Sequence, residues 1–332
     1  MRKILIRVLA FVCALTLVPM FSACNSGGQQ PQGSEASGYH TITFNTKGGS
    51  KIGDMTVKHD TFAKEPTPPT LENYVFCRWQ TNEGRAFFFD MYTVKEDINL
   101  EAIWIKAEDL FGLAAMPDSN GIMITDIKRQ EDFDVLYVPE IINGKTVEGI
   151  GAGAFKETIP SHASTIVFPD TVRYVEEDAF ASIPEVNIIL NGTLTHIEEG
   201  SFFGAALITK ISLGKGITSV PYRAFSSCSM LKTANLPEGV TTIEENAFEV
   251  CERLVTLILP STLTSIQDSA FEECTALKTV FFGGTEEQFY SISIAAGNEA
   301  IENATVYYYS DEQPTTEGNF WHYDKNQAPT IW

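Results

Sequence analysis

Apolar and polar positions alternate with a period of two through much of residues 39–106. Ile42 and Phe44 share one face of His40–Thr46, and Ile98, Leu100, Ala102 and Trp104 share one face of Ile98–Trp104. Such alternation predicts half-buried β-strands. Lys47-Gly48-Gly49 and Thr67-Pro68-Pro69-Thr70 break it with turn residues, and Tyr74, Phe76 and Trp79 add an aromatic cluster. Residues 39–106 therefore predict a small β-rich module with an aromatic core.

Beyond residue 134 the pattern becomes a long-period repeat. Phe202, Phe225, Phe248 and Phe271 are each 23 residues apart, as are Cys228, Cys251 and Cys274, and Ile208, Leu231, Leu254 and Leu277. A fixed period of this size means one supersecondary unit stacked on copies of itself. Each unit opens with an apolar pair two residues apart: Leu136/Val138, Ile166/Phe168, Ile188/Leu190, Ile211/Leu213, Ala234/Leu236, Leu257/Leu259 and Val280/Phe282. Each pair places one strand face inward. A Pro or Gly stop follows, then two aliphatics three apart such as Val240/Ile243, then a small residue and phenylalanine. Seven parallel strands at the usual sheet spacing of about 4.8 Å span roughly 30 Å. Early units drift: Phe155 to Phe180 is 25 residues and Phe180 to Phe202 is 22. Residues 107–134 predict an N-terminal cap, with a turn at Asp118-Ser119-Asn120-Gly121 and a strand at Ile122–Ile124. The Asp118/Asn120 pair echoes a calcium loop whose remaining ligands are missing.

After the last unit, Thr285-Glu286-Glu287-Gln288 is a capping-box pattern that opens a short helix. A second helix is expected over residues 298–304 and a strand over Thr305–Ser310. Phe320, Trp321, Tyr323 and Trp332 follow. Residues 285–332 predict a C-terminal cap. Their aromatics also suit stacking on sugar rings, which gives a glycan-capture alternative.

At the start, Arg2, Lys3 and Arg7 precede an apolar run from Val8 to Phe21 and then Ser22-Ala23-Cys24. This reads as a signal peptide over residues 1–23, too short to span a membrane as a helix. The end resembles a bacterial lipobox, with Phe21 where that motif usually has leucine. The resemblance implies a lipid on Cys24 and attachment to the outer side of the bacterial cell membrane. Residues 25–38 lack apolar content and predict a flexible tether.

Two further resemblances follow from these motifs. ITFNTKGGS, PTPPT, Tyr74-Val75-Phe76 with Trp79, and LEAIW resemble the Listeria–Bacteroides repeat, the internalin-type B-repeat. Arg78 stands where that family has glycine before the tryptophan. The resemblance implies a compact β-grasp-like spacer or weak binding module. Ile243…Ala247-Phe248…Cys251, Ile266…Ala270-Phe271…Cys274, LPEGV at Leu236–Val240 and LPSTL at Leu259–Leu263 resemble the BspA-type leucine-rich repeat. That implies a surface-exposed binding protein, some members of the family being adhesins for host matrix proteins. The expected fold is mainly β: a leucine-rich-repeat solenoid of about seven rungs over 107–284, behind the β module.

The chain carries 23 Lys+Arg against 43 Asp+Glu, a net charge of −20. Removing the three basic residues of the leader makes it −23. Such a charge disfavours nucleic acid and anionic lipid headgroups as partners. With Cys13 in the leader and Cys24 lipidated, Cys77 and the spaced trio remain, too few for a disulfide scaffold. The trio reads as packing behind each phenylalanine or as a redox or metal ladder. Three sulfurs without a nearby histidine suit zinc poorly.

Acid pairs Glu176-Glu177, Glu198-Glu199 and Glu244-Glu245, then Asp268, read as a solvated edge or as a calcium ladder. The five histidines, His40, His59, His162, His196 and His322, fall at no metal spacing. Neither H-E-x-x-H nor G-x-S-x-G occurs, and Gly149, Gly151 and Gly153 precede no nucleotide-binding helix. No enzyme, cofactor or metal is expected.

The outward row of the strands is the candidate site. Tyr137, Val167, Ile189, Ser212, Asn235, Ile258 and Phe281 occupy it. Five of these seven are apolar on a sheet expected to be open and concave, the usual binding face of a solenoid. Beside them runs a polar row, Thr165, Asn187, Lys210, Thr233, Thr256 and Thr279. Strand propensity alone also explains apolar residues there. The expected partner is a host or bacterial surface or matrix protein.

Overall fold

A computed structural model describes residues 38–129, 133, 135–156, 163–183, 185–190 and 194–332, and residues 39–332 form one compact unit. The leader, Cys24, the tether up to residue 37 and His162 lie outside the described residues.

The first module holds β1 (Tyr39–Asn45), β2 (Met55–Lys58), β3 (Thr61–Phe62), β4 (Tyr74–Thr81), β5 (Ala86–Phe87), β6 (Thr93–Val94) and β7 (Ile98–Lys106). Its main sheet runs β2-β1-β7-β4-β5, with β1 parallel to β7 and β4 antiparallel to it. Ile42, Phe76, Trp79, Phe87, Phe89, Leu100 and Ala102 are buried on one side. Phe76 and Trp79 are three apart and would face opposite ways in a regular strand. The register of β4 slips between Phe76 and Arg78, so Cys77 is the extra residue of a bulge. The bulge puts both aromatics in one core. Arg78 lies within the strand, not in a turn.

The same bulge leaves Val75 and Cys77 on the opposite face, where they join the solenoid core with Ile105, Leu110 and Phe111. The chain passes through α1 (Ala107–Leu110) into the antiparallel hairpin β8 (Phe111–Ala115) and β9 (Ile122–Ile127). Asn73 ties the junction: its carbonyl accepts from the Ala107 N–H at 2.9 Å and its Oδ1 from the Asn143 N–H at 2.5 Å. The module thus closes the solenoid's open end, which otherwise would expose rung-one residues such as Leu136 and Ile142.

Rung one contains β10 (Val135–Tyr137), β11 (Ile141–Ile142) and β12 (Lys145–Ile150). The next five rungs each pair a main strand with a two-residue return strand: β13 (Thr165–Phe168) with β14 (Tyr174–Val175), β15 (Asn187–Leu190) with β16 (His196–Ile197), β17 (Lys210–Ser212) with β18 (Ser219–Val220), β19 (Thr233–Asn235) with β20 (Thr242–Ile243), and β21 (Thr256–Leu259) with β22 (Ser265–Ile266). Rung seven runs from β23 (Thr279–Phe282) through α2 (Glu286–Tyr290) to β24 (Ser293–Ile294). After α3 (Glu299–Glu302) come β25 (Thr305–Tyr309), β26 (Phe320–Tyr323) and β27 (Pro329–Ile331). Main strands form the sheets β10-β13-β15 and β17-β19-β21-β23-β25-β26-β27, and return strands form a second line. Where strands of consecutive rungs pair, the pairing is parallel and in register, as at Ile258↔Phe281. The capping box of α2 is present, with Thr285 and Gln288 exchanging side-chain and backbone bonds.

Rung chemistry follows from this stacking. Phe155, Phe180, Phe202, Phe225, Phe248 and Phe271 stack with centroids 5.2 to 5.4 Å apart, tilted by 22° or less. The residue before each ring must be small. Ala154, Ala179, Ala224, Ala247 and Ala270 are buried there, and Ser201 takes that place before Phe202. In rungs two to six, two residues flanking this pair turn with positive φ. Asn246 at 57° and Val250 at 57° do so around Ala247-Phe248, and Gly200 and Gly204 do so around Ser201-Phe202. Glycine and asparagine suit that region, whereas a β-branched valine is strained in it.

Candidate functional site: the outer face of the main strands

The cysteine trio has a packing role. Cys228, Cys251 and Cys274 are free and buried, and each thiol donates to the previous rung's phenylalanine carbonyl, at 3.3, 3.2 and 3.1 Å. Burial pushes the Cys228 thiol up to about 12. A thiol held protonated is a poor nucleophile and metal ligand. Ile183 and Ala205 fill the same place in earlier rungs, so an apolar residue serves there too.

The first acid of each pair is a rung-to-rung clamp. Glu176 accepts from the Ala152 N–H at 3.0 Å, Glu198 from Glu177 at 3.0 Å, and Glu244 from Tyr222 at 3.2 Å. Gln267 repeats the contact to Glu245 at 3.2 Å, so the position needs an acceptor, not a charge. The second acids, Glu177, Glu199, Glu245 and Asp268, are exposed. No group of three or more metal-ligating side chains occurs among the described residues.

The outer row divides in two. On β10, β13 and β15, Tyr137 is 36% exposed and Val167 and Ile189 are half-exposed. Asn235 is half-exposed as well, and the side chain of Ser212 lies outside what is described. Ile258 and Phe281 depart from the expected open face: they are buried at 6% and 7%. The cause is the return of the chain after rung seven. β25 and β26 extend the sheet in parallel and place Tyr307, Tyr309 and Trp321 on the same face as Phe281. The Trp321 ring lies 5.3 Å from Phe281, and its Nε1 donates to the Phe282 carbonyl at 2.8 Å.

Trp321 is therefore 1% exposed and committed to packing, contrary to the expectation of a sugar-stacking surface. Trp332 stacks on His322 with centroids 3.7 Å apart and donates to the Ser310 carbonyl at 3.1 Å. Phe320 is half-buried and Tyr323 is 39% exposed. Burial first, then the nearby Glu238, pushes the Tyr323 phenol up. These four aromatics form a closing structure for the sheet. Sequence reasoning missed this use of Trp321. The available signal was Tyr307 and Tyr309, whose alternation continues the Phe281 row beyond the last repeat.

A cleft of about 470 Å³ lies where the first module meets β10, and Tyr137 belongs both to its lining and to the outer row. No helix among the described residues is long and apolar enough to cross a membrane.

Comparison with known proteins agrees with this architecture. The family described as BspA type leucine rich repeat region matches in six copies, over residues 133–205 and 148–278. The Listeria-Bacteroides repeat domain matches residues 40–103. A leucine-rich repeat protein of T. pallidum superposes with TM-score 0.51 at 22% identity, over 60% of this chain and 90% of that one, which supports the fold. A leucine rich cell surface protein of Faecalibacterium prausnitzii A2-165 is 26% identical over 55% of this chain and 40% of that one, at TM-score 0.38. A protein of Evansella cellulosilytica named as a membrane protein is 36% identical over 67 residues, 20% of this chain and 10% of that one. The chain spans about a tenth of the length of the curated relatives it matches. Residues 133–278 are BspA-type leucine-rich repeats, joined to a Listeria–Bacteroides repeat domain in residues 40–103.

Proposed function

We propose that this chain is a non-enzymatic, adhesin-like protein of the bacterial cell surface. In this reading it is lipid-anchored through Cys24 and binds a protein partner on the outer face of the main strands. The observation that carries it is the half of the apolar row that stays partly exposed, Tyr137, Val167 and Ile189, while Ile258 and Phe281 are sealed by the chain's own Trp321. Exposed apolar stripes rimmed by polar residues mark interaction surfaces, and Thr165 and Asn187 flank this one. Surface placement is supported by the leader and lipobox pattern, by the repeat family, and by the surface and membrane names of similar proteins. The acid excess favours a partner with a basic or neutral contact surface.

The test is a binding screen of the chain lacking residues 1–23 against matrix proteins, bacterial surface extracts and glycans. A variant carrying Val167→Asn and Ile189→Asn runs alongside. The expected result is a protein hit that weakens at least about tenfold in the variant, with an unchanged melting temperature. A protein hit kept at full strength in the variant, or hits among glycans only, would overturn the assignment.

A further inference from the structure

Every junction between consecutive rungs but one carries strand pairing on both the main and the return line. The junction between rungs three and four carries neither among the described residues. The main strands divide into separate sheets between β15 and β17, and the return strands between β16 and β18. What remains near the main line is an isolated bridge, Leu194↔Leu213, and the Gly214 N–H donating to the Leu194 carbonyl at 2.7 Å.

The sequence explains the gap in the return line. Each return strand is tied to the rung before it by the residue four positions ahead of the stacked phenylalanine. Glu176, Glu198, Glu244 and Gln267 hold that place, and their N–H groups donate to the Ile150, Val175, Val220 and Ile243 carbonyls at 2.9 to 3.1 Å. Their side chains also accept from the rung before. In rung four the residue is Pro221. Proline has neither an N–H nor an acceptor side chain, so one residue removes both bonds. The core is also less sealed beside this junction. Leu190 is only partly buried, whereas Phe168 and Leu259, at the same position of other rungs, are 0% exposed.

The phenylalanine corner crosses the junction unbroken. Gly200, Phe202 and Gly204 donate to the Tyr222, Ala224 and Ser226 carbonyls at 2.9, 2.9 and 2.8 Å, and the Phe202 and Phe225 rings stack 5.2 Å apart. Glycine takes both turning positions of rung three, where rung two has Asp178 and Ser182. That lowers the cost of changing φ and ψ there. A stack held along one side and unpaired along the other two has the form of a hinge.

We infer that the solenoid bends at this seam, about the phenylalanine corner, with rungs one to three and rungs four to seven moving as two blocks. Tyr137, Val167 and Ile189 lie on the first block, and Ile258, Phe281 and their Trp321 cover lie on the second. Bending therefore changes the angle between the two halves of the outer face and leaves each half intact.

The test is a pulsed electron-spin distance measurement on the chain lacking residues 1–24, with spin labels at Lys145→Cys and Thr264→Cys. Both sites are exposed, one on the return line of rung one and one on that of rung six. Cys77, Cys228, Cys251 and Cys274 are buried away from the label. Sheet spacings of about 4.8 Å separate the two rungs by roughly 24 Å, a span the method reads. The labelled chain is expected to give a distribution with a longer component, from the open seam. Pro221→Glu restores the N–H and the acceptor and is expected to remove that component. Glu244→Pro carries the gap to the next junction and is expected to broaden the distribution further, while Glu244→Gln keeps both bonds and leaves it unchanged. Circular dichroism identifies the variants that fold. A single narrow distance in the labelled chain would overturn the hinge. So would a longer component that survives in folded Pro221→Glu, or a folded Glu244→Pro with an unchanged distribution.

Discussion

Val167 and Phe281 occupy the same position of the same repeat, yet one is half-exposed and the other is sealed. Both are apolar, both face outward on a parallel sheet, and each is in register with an apolar neighbour one rung on, Ile189 for Val167 and Tyr307 for Phe281. The difference comes from the chain beyond the last repeat, which returns as β25 and β26 to set Trp321 against Phe281 and Ile258. A repeat pattern therefore fixes which face a residue takes but leaves open whether that face stays bare. An apolar row is a candidate interface only where the chain does not supply its own cover.

The sharpest way to break this comparison is to put one charge at both positions. Phe281→Glu removes a buried ring and places a carboxylate among Ile258, Tyr307 and Trp321. The expected cost is about 4–5 kcal/mol, from the lost aromatic packing and the burial of an unpaired charge. Val167→Glu is expected to change stability by about 0.5 kcal/mol or less, as for a substitution in a partly solvated position. Chemical denaturation of both variants measures the contrast. Similar losses at the two sites would mean that the two halves of the row are equally covered, and the division would fall.

Trp321→Ala tests the cause. Truncating a buried tryptophan costs about 3 kcal/mol or more, and the Nε1 bond to the Phe282 carbonyl is lost as well. Because β26 and β27 lie at the sheet's end, the loss is expected to be local. Amides of residues 320–331 should exchange faster while those around Phe225 and Phe248 stay protected. Binding of a hydrophobic dye should rise as Ile258 and Phe281 are uncovered. Unchanged exchange at the end of the sheet would show that Trp321 does not hold the cover in place.

The solenoid was legible because stacking constrains each rung alike. The 23-residue recurrence of phenylalanine, cysteine and leucine reports the buried ladders directly. The acid pairs were legible only in part. Gln267 in the place of a glutamate already indicated that the position needs an acceptor, but the recipient N–H one rung back is a tertiary fact. Cys77 gave no sequence sign of being a bulge, since its effect appears only when Phe76 and Trp79 are found in one core and Val75 in another. Trp321 was hardest to place. It sits 40 residues beyond Phe281, in a segment with no repeat, and its role depends on where the chain turns back. The junction cleft required two modules in contact, so neither module's pattern could announce it.

In the third rung, between the irregular early rungs and the regular later ones, one buried atom is out of pattern. Ser201 stands where the five other rungs have alanine, and its Oγ is buried without a hydrogen-bond partner. A hydroxyl removed from water and left unpaired costs about 1–3 kcal/mol. Alanine at the same backbone position keeps Cβ against the stacked rings and removes the orphaned group. Ser201→Ala is therefore expected to stabilise the chain by about 1 kcal/mol and to raise its melting temperature by a few degrees. Neither half of the outer face should change in the process, so partner binding should be the same before and after. A destabilised Ser201→Ala would mean that the hydroxyl has a partner in solution, and that the third rung departs from its neighbours because of a bond they do not make.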